Sequence, residues 1–168
     1  NSAYDGLPAL VNPGNDARLI GERLTAIGFE VSIVLDASQG ALTAAVDDFS
    51  EAARGAEVAL FYYAGHGLQI DGQNYLIPID ADIGSQADVP AVSTSLTNVL
   101  DTIEGAGAES VVVVLDACRD NPLADIPGVG INNELVTEDG GLGAGMARVE
   151  RAGMLIAYAT APGQVAYD

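Results

Sequence analysis

The 168-residue sequence contains only one cysteine and one histidine. A single cysteine excludes an internal disulfide and any metal site built from several cysteines, and it is compatible with a reducing, cytoplasmic location. The sequence also lacks an apolar run of membrane-spanning length and a leader of signal-peptide form. The length of 168 residues, 49% of them hydrophobic, predicts one domain over residues 1–168. The sequence opens abruptly on Asn1, and we expect this domain to be truncated at one or both ends.

Basic residues are scarce. Six Lys and Arg stand against 24 Asp and Glu, which gives a formal net charge of −18. Nucleic acid and anionic membranes are poor partners for such a surface, whereas basic peptides or cations suit it. The alternative interpretation is that the charge only keeps the protein soluble.

The two rare residues each follow a predicted buried strand. The run Val111–Leu115 is too short and too β-branched for a helix, and its lack of alternation indicates a strand covered on both faces. This strand leads to Cys118, and a second buried run, Glu57–Ala64, leads to His66. If the strands are parallel neighbours, their carboxyl ends meet, and this is where sites collect in open α/β sheets.

This arrangement predicts a Cys–His dyad, in which the imidazole of His66 takes the thiol proton of Cys118 and the thiolate attacks a carbonyl. Each residue also has a simpler interpretation. Cys118 could be a small buried hydrophobe, and His66 between two glycines could cap a turn.

The rest of the chain alternates between helical and strand patterns, which predicts an α/β fold with a parallel sheet. Asp71-Gly72 between short apolar runs predicts a hairpin beside His66, and the aperiodic stretch Asn121–Met146 predicts a long functional loop. The other predicted elements are a helix from Asn15 or Asp16 to about Ile27, a strand over Phe29–Leu35, a helix from Ser38 to Gly55, a helix from Ser93 to about Glu104, and a strand over Gly153–Ala159. The helical period of the Ser93–Glu104 helix predicts that Leu96, Val99, Leu100 and Ile103 face inward.

Two motifs carry a family resemblance. Asp116-Ala117-Cys118-Arg119-Asp120, with His66 about 50 residues upstream, resembles the caspase cysteine motif, and Tyr63-Ala64-Gly65-His66-Gly67 resembles the histidine motif of the same clan. The opening Asn1–Tyr4 and the closing Tyr158–Gly163 resemble bacterial members. The sequence is therefore similar to the caspase-like clan, in particular the p20-like domain of bacterial metacaspase-type peptidases (orthocaspases). The resemblance implies a three-layer α/β/α sandwich, a mostly parallel sheet and a cysteine endopeptidase activity.

The resemblance also implies the parts of the site. The backbone N–H groups of Gly67 and Cys118 would form the oxyanion hole, and a backbone carbonyl would orient the imidazole. Asp116 replaces the glutamine of caspases, and a carboxylate there favours a substrate with Arg or Lys at the P1 position. Asp168 is the candidate for a second acid of that S1 pocket. The alternative for Asp116 is a carboxylate that caps a turn.

Calcium is a further feature of many relatives. Asp125 lies in the loop after the cysteine, and Asp80, Asp82 and Asp88 are other weak candidates for ligands. The orthocaspases that the sequence resembles often work without calcium, so we expect no required metal and leave calcium binding open.

Self-cleavage is the last feature that the resemblance suggests. Arg148 and Arg151 follow the long loop, and an enzyme that cuts after Arg could cut itself there. The alternative is that both arginines pair with surface acids.

Two other functions remain as alternatives to a monomeric peptidase. A non-catalytic caspase-like module that binds a partner is disfavoured because His66 and Cys118 are both present. A nucleotide-binding α/β domain would need a glycine-rich phosphate loop after its first strand, which Gly65-His66-Gly67 is not.

Overall fold

A computed structural model describes residues 1–118, Met146 and 148–159, and of Cys118 it describes the backbone. The sequence predictions for residues 119–145 and 160–168, including Asp125 and Asp168, lie outside this part. The elements are α1 (Pro13–Ala26), α2 (Gln39–Ala52), β1 (Val58–Ile70), β2 (Gln73–Leu76), a 3-10 turn (Gln86–Asp88), α3 (Val89–Val92), β3 (Thr94–Ser95), α4 (Leu96–Gly105), β4 (Ser110–Cys118) and β5 (Met154–Tyr158).

The described strands form one sheet in the order β3-β2-β1-β4-β5. β4 lies parallel between β1 and β5, whereas β2 and β3 are antiparallel to their neighbours. β1 turns into β2 through Asp71 (φ 49°) and Gly72 (φ 75°), the positive angles that a tight two-residue hairpin requires. The mostly parallel α/β sheet with a hairpin after His66 is therefore confirmed.

The main core lies between the sheet and the helices α2 and α4. Alternate residues of β4 face this core and are buried, while the residues between them are half-buried. The apolar residues of α4 that the helical period assigned to the interior are all at most 2% exposed, namely Leu96, Val99, Leu100 and Ile103. α1 packs against β1 on the opposite side, where its Asp16 lies close to Tyr62. The caspase-like three-layer arrangement is confirmed.

Helix starts were predicted with mixed success. Ser38 is the N-cap of α2, and its hydroxyl accepts a hydrogen bond from the N–H of Ala41, as expected of a serine at this position. α1 begins at Pro13 rather than at Asn15 or Asp16, because proline suits the first turn of a helix, where its missing N–H costs nothing. The predicted N-caps of α1 were therefore wrong.

The predicted strand over Phe29–Leu35 was also wrong. The segment has no assigned strand, and Ile33, Val34 and Leu35 are 37–47% exposed. Its alternating sequence favours extended backbone, but a strand exists only where the backbone pairs, and no ladder to this segment is found among the described residues. The β-α-β unit that the sequence predicted from this strand through α2 is accordingly absent from the described part.

The opening segment, residues 1–10, packs on the hairpin and forms a second core with it. Tyr4 and Leu7 are buried there with Leu68, Ile70 and Ile77. Backbone bonds from Asp5 N–H to the Ile79 carbonyl (2.8 Å) and from the Asn1 nitrogen to the Ala64 carbonyl (2.7 Å) fasten this segment beside β1.

Asp36 and Asn1 fix the first residues of this segment. The Asp36 carboxylate accepts the N–H groups of Ser2 (2.7 Å) and Ala3 (3.1 Å), and these bonds lower its pKa. The Asn1 side chain accepts the Ala37 N–H at 2.7 Å and donates to the Ile77 carbonyl at 3.2 Å. These contacts hold residues 1–10 next to His66.

None of the helices in the described part of the chain combines the length and the apolar character needed to cross a membrane.

Candidate active site

The sheet register brings the only histidine and the only cysteine together. In the parallel pair of β1 and β4, His66 is the direct partner of Cys118, so their backbones lie about 4.8 Å apart, the ordinary spacing of neighbouring strands. One detail differs from the sequence prediction. β1 does not end before Gly65 but continues through His66 to Ile70, because β4 pairs with it up to His66 and β2 pairs with it from Gly67 onwards.

The His66 ring is buried and oriented by a backbone carbonyl. The residue is 4% exposed, and its Nε2 lies 2.7 Å from the carbonyl oxygen of Pro8. A carbonyl oxygen can only accept, so Nε2 carries the proton, and the neutral ring then keeps its lone pair on Nδ1. This tautomer leaves Nδ1 able to take a proton. The ring meets the expectation that a backbone carbonyl orients the imidazole.

Two tyrosine hydroxyls hold the backbone of His66. The Tyr4 hydroxyl accepts the His66 N–H at 2.8 Å, and the Tyr63 hydroxyl donates to the His66 carbonyl at 2.8 Å and to the Ile77 carbonyl at 3.0 Å. The rings of Tyr4 and His66 also lie against each other, with centroids 4.5 Å apart and planes inclined by 49°. Both polar groups of the His66 backbone are therefore bound by tyrosines.

Gly67 points its N–H towards β4. Gly67 pairs with Leu76 of β2. In the adjacent pair, the Ile77 N–H donates to the His66 carbonyl at 3.0 Å. In an antiparallel ladder this makes Gly67 and Leu76 a non-hydrogen-bonded pair, so the Gly67 peptide groups point away from β2. The absence of a side chain matters here, because a Cβ on Gly67 would lie 3.0 Å from the Cβ of Ala117 and 3.3 Å from the sulfur of Met146.

Asp116 lies on β4, two residues before Cys118, and is half-buried. The Tyr62 hydroxyl donates to its Oδ2 at 3.1 Å. Burial of the Tyr62 hydroxyl, together with the Asp116 carboxylate, raises the Tyr62 pKa well above its usual value. Asp116 is therefore a strand residue with a tyrosine partner, and the turn that it would cap in the alternative interpretation follows β4, outside the described residues.

The calcium candidates do not gather in the described part of the chain. The Asp80 carboxylate accepts the Gln39 N–H at 2.8 Å, and that of Asp88 accepts the Ser85 hydroxyl at 2.8 Å. Among the residues that the structure describes, no three His, Cys, Asp or Glu side chains, Asp82 included, are grouped so that they could hold a metal ion. Asp125 lies outside that part.

The two arginines after the long loop differ in their surroundings. Arg151 binds Glu104 of α4 at 3.0 Å and also Asp101, and its side chain is only 23% exposed. Arg148 pairs with Glu150 at 2.8 Å, and its side chain is 72% exposed. Both therefore have acidic partners, but only Arg151 is fixed to a helix.

Sequence reasoning missed the residues that bind His66 and Asp116. Tyr4 was noticed only as part of a family motif, Tyr62 and Tyr63 only as members of a buried strand, and Pro8 was given no role. A tyrosine inside an apolar strand run is a usable indication, because a buried hydroxyl needs a partner. The Pro8 contact uses a main-chain carbonyl, which no side-chain pattern reveals.

The comparison with known proteins agrees with this geometry. The chain is similar to mucosa-associated lymphoid tissue lymphoma translocation protein 1 of Homo sapiens and to its homolog of Mus musculus, each 28% identical over 119 residues. Those residues are 71% of this chain but only 14% of each relative, so the chain spans a small part of the relatives' length. The model of the caspase domain family, Peptidase_C14, matches residues 1–168. The chain belongs to the caspase domain family of peptidases.

Proposed function

We propose that this protein is a metacaspase-type cysteine endopeptidase that cleaves after Arg or Lys by means of a His66–Cys118 dyad. Membership of the caspase domain family supports a cysteine-peptidase function and protein substrates. The observation that carries the proposal is the register of β1 and β4, which pairs His66 directly with Cys118 while the His66 Nε2 is bound to the Pro8 carbonyl.

In the proposed reaction, Nδ1 of His66 takes the proton from the Cys118 thiol, and the thiolate attacks the scissile carbonyl carbon. The oxygen of the tetrahedral intermediate accepts hydrogen bonds from the N–H groups of Gly67 and Cys118. The intermediate then collapses, and the imidazolium gives its proton to the leaving amine. Water, deprotonated by the same ring, hydrolyses the thioester and restores the thiol. The roles of Gly67 and Cys118 in this scheme rest on the family resemblance alone.

The preference for a basic P1 residue rests on Asp116. A carboxylate held by the Tyr62 hydroxyl at 3.1 Å, so near to Cys118 in the sequence, can form a charge-assisted bond to a guanidinium or ammonium group. The net charge of −18 favours encounter with basic peptides over acidic ones. We propose Asp168 as a second acid of the pocket on the grounds of the family resemblance alone.

The test is the hydrolysis of matched fluorogenic peptides that end in Arg, Lys or Asp. We expect cleavage of the Arg and Lys peptides and its loss in both Cys118→Ala and His66→Ala. In Asp116→Asn, kcat/KM for the Arg peptide should fall by about 10- to 100-fold, since one charge-assisted bond is lost. The Asp47→Asn variant, which changes the net charge equally on α2, is the matched control and should retain activity.

Other outcomes would change the proposal in distinct ways. Cleavage of the Asp peptide would retain the dyad but contradict the role of Asp116. If the folded wild-type protein cleaves none of the peptides, the alternative of a non-catalytic caspase-like module that binds a partner would be favoured. We propose that calcium is not required and that the protein is monomeric. Assays with added calcium and with a chelator test the first statement, and sedimentation of the active protein tests the second.

We further propose that any self-cleavage follows Arg148 rather than Arg151. A peptidase must bind the arginine side chain in its own pocket, and Arg151 would first have to leave Glu104 and Asp101. Mass spectrometry of the incubated protein should show fragments that end at Arg148, absent in Arg148→Gln and in Cys118→Ala. Fragments that end at Arg151 in the wild type would contradict this assignment.

A further inference from the structure

We propose that Tyr4 and Tyr63 are positioning residues for the His66 imidazole, and that the Tyr4 hydroxyl is the more important of the two. The inference rests on the proposed function, since it concerns how the general base of that reaction is held. The two tyrosines come from different parts of the chain, residues 1–10 and strand β1, and they bind opposite polar groups of the same residue.

Tyr4 contacts His66 in two ways. Its hydroxyl accepts the His66 N–H at 2.8 Å, and its ring covers the imidazole at a centroid distance of 4.5 Å. Tyr4 is 9% exposed, so little water is available to replace the hydroxyl as an acceptor. The same segment supplies the Pro8 carbonyl that binds Nε2. Residues 1–10 thus determine both where the His66 backbone lies and how its ring is turned.

Tyr63 supports the other side of the His66 peptide. Its hydroxyl bridges the carbonyls of His66 and Ile77, which lie on the paired strands β1 and β2. The His66 carbonyl also accepts the Ile77 N–H at 3.0 Å, so it keeps one bond if the Tyr63 hydroxyl is removed. The effect of removing this hydroxyl should therefore be smaller than that of removing the Tyr4 hydroxyl.

The hydroxyl groups of Tyr4 and Tyr63 lie close to the backbone of Gly65, the residue before His66. A Cβ at this position would lie 2.6 Å from the Tyr4 oxygen and 2.9 Å from the Tyr63 oxygen, and the backbone φ is +154°. Glycine before the histidine thus has a physical reason that is independent of substrate binding. The hydroxyls occupy the space that any side chain would need.

Fixing the His66 backbone matters for the reaction, because proton transfer requires a donor and an acceptor within hydrogen-bond reach, and small misplacements are costly in rate. Without the Tyr4 hydroxyl the buried N–H loses its acceptor, and the ring can shift relative to the Pro8 carbonyl. The expected consequence is a lower kcat with unchanged KM, since the groups that bind the substrate are untouched.

The test compares Tyr4→Phe and Tyr63→Phe with Tyr158→Phe. Tyr158 is the matched control, because its hydroxyl also accepts a backbone N–H, that of Val149 at 3.0 Å, but on β5. We expect kcat to fall about tenfold in Tyr4→Phe and about threefold in Tyr63→Phe, with KM and the P1 preference unchanged. Tyr158→Phe should retain the kcat of the wild type.

A second readout does not depend on activity. His66 is the only histidine, so its ring signals in ¹⁵N NMR spectra need no assignment. The neutral wild-type ring should be protonated on Nε2, and Tyr4→Phe should show a mixture of tautomers, which a merely structural role would not produce.

The two readouts separate failure of this inference from failure of the proposed function. Equal kcat in Tyr4→Phe and Tyr158→Phe, or a loss of activity that follows the unfolded fraction alone, would overturn the positioning role. If the wild type hydrolyses no peptide, the proposed function fails, and the tautomer decides the inference. A changed tautomer in Tyr4→Phe would then support it, and an unchanged one would overturn it.

Discussion

Substitution of Gly65 by alanine tests the packing around His66 more sharply than a substitution of His66 itself. The new methyl group would lie 2.6 Å from the Tyr4 hydroxyl oxygen, whereas an ordinary contact is about 3.5 Å. The hydroxyl would have to withdraw by roughly an ångström, and its bond to the His66 N–H, now 2.8 Å, would no longer meet hydrogen-bond geometry. The substitution should therefore damage the site without touching a proposed reacting group.

The expected cost combines two contributions. Loss of a buried hydrogen bond costs about 1–3 kcal/mol, and an L-residue at a φ of +154° adds backbone strain of about 1–3 kcal/mol. The sum of about 2–5 kcal/mol lowers the unfolding temperature of a domain of this size by roughly 5–15 °C. Calorimetry measures this shift. The control is Gly40→Ala in α2, where a Cβ meets nothing within 4 Å and stability should be unchanged or slightly increased.

A double-mutant cycle identifies the cause. In a Tyr4→Phe background the oxygen is already absent, so Gly65→Ala should cost about 1–2 kcal/mol less than in the wild type. Additive effects within about 0.5 kcal/mol would refute the reasoning, because they would show that the alanine does not act through the Tyr4 hydroxyl.

Three further predictions concern stability. Leu100→Ala empties a fully buried core position and should cost about 2–5 kcal/mol in urea unfolding, and an unchanged midpoint would contradict the assigned core. Hydrogen bonds from the N–H groups of Ser2 and Ala3 lower the pKa of Asp36 in the folded protein. The ionised carboxylate therefore stabilises the fold above about pH 4, the pKa of an aspartate in the unfolded chain. This stabilisation is lost as the pH falls through the lowered pKa of the folded state. Asp36→Asn should therefore flatten the acid limb of the pH–stability curve, and an acid limb like that of the wild type would argue against this role. Arg151→Ala should cost about 0.5–1 kcal/mol because it removes the bonds to α4, while the exposed Arg148→Ala should cost less, and the reverse order in thermal unfolding would be evidence against the anchoring contact.

The sequence predicted well wherever local pattern and tertiary structure agree. The 3.6-residue period of α4 identified its buried face, and Asp71-Gly72 identified the hairpin, because the tight turn requires positive φ at both residues. The pairing of His66 with Cys118 followed from two buried runs and the rule that parallel neighbours share an edge. For the candidate site, this was enough to bring the two rare residues together.

The wrong strand predictions have a common physical cause. Whether a segment forms a strand, and where that strand ends, depends on the neighbouring backbone that pairs with it, which local sequence does not show. The sequence of Phe29–Leu35 alternates between apolar and polar residues like that of a strand, yet the segment forms no strand. Alternation alone does not provide a neighbouring strand with which the backbone can pair. The glycines around His66 suggested that β1 ends there, but β1 continues because a different neighbour pairs with each half. The contacts of Tyr4 and Pro8 with His66 join residues about 60 positions apart and leave no local pattern.

The most direct test of the dyad and the acidic pocket together is covalent labelling, followed by intact mass spectrometry. The reagents are two peptidyl acyloxymethyl ketones that differ only in Arg or Asp at P1. The account predicts one adduct per chain with the Arg reagent, located on Cys118, greatly slowed in His66→Ala and Asp116→Asn and absent in Cys118→Ala. Faster labelling by the Asp reagent would contradict the acidic pocket, and equal labelling of the wild type and His66→Ala would contradict the dyad.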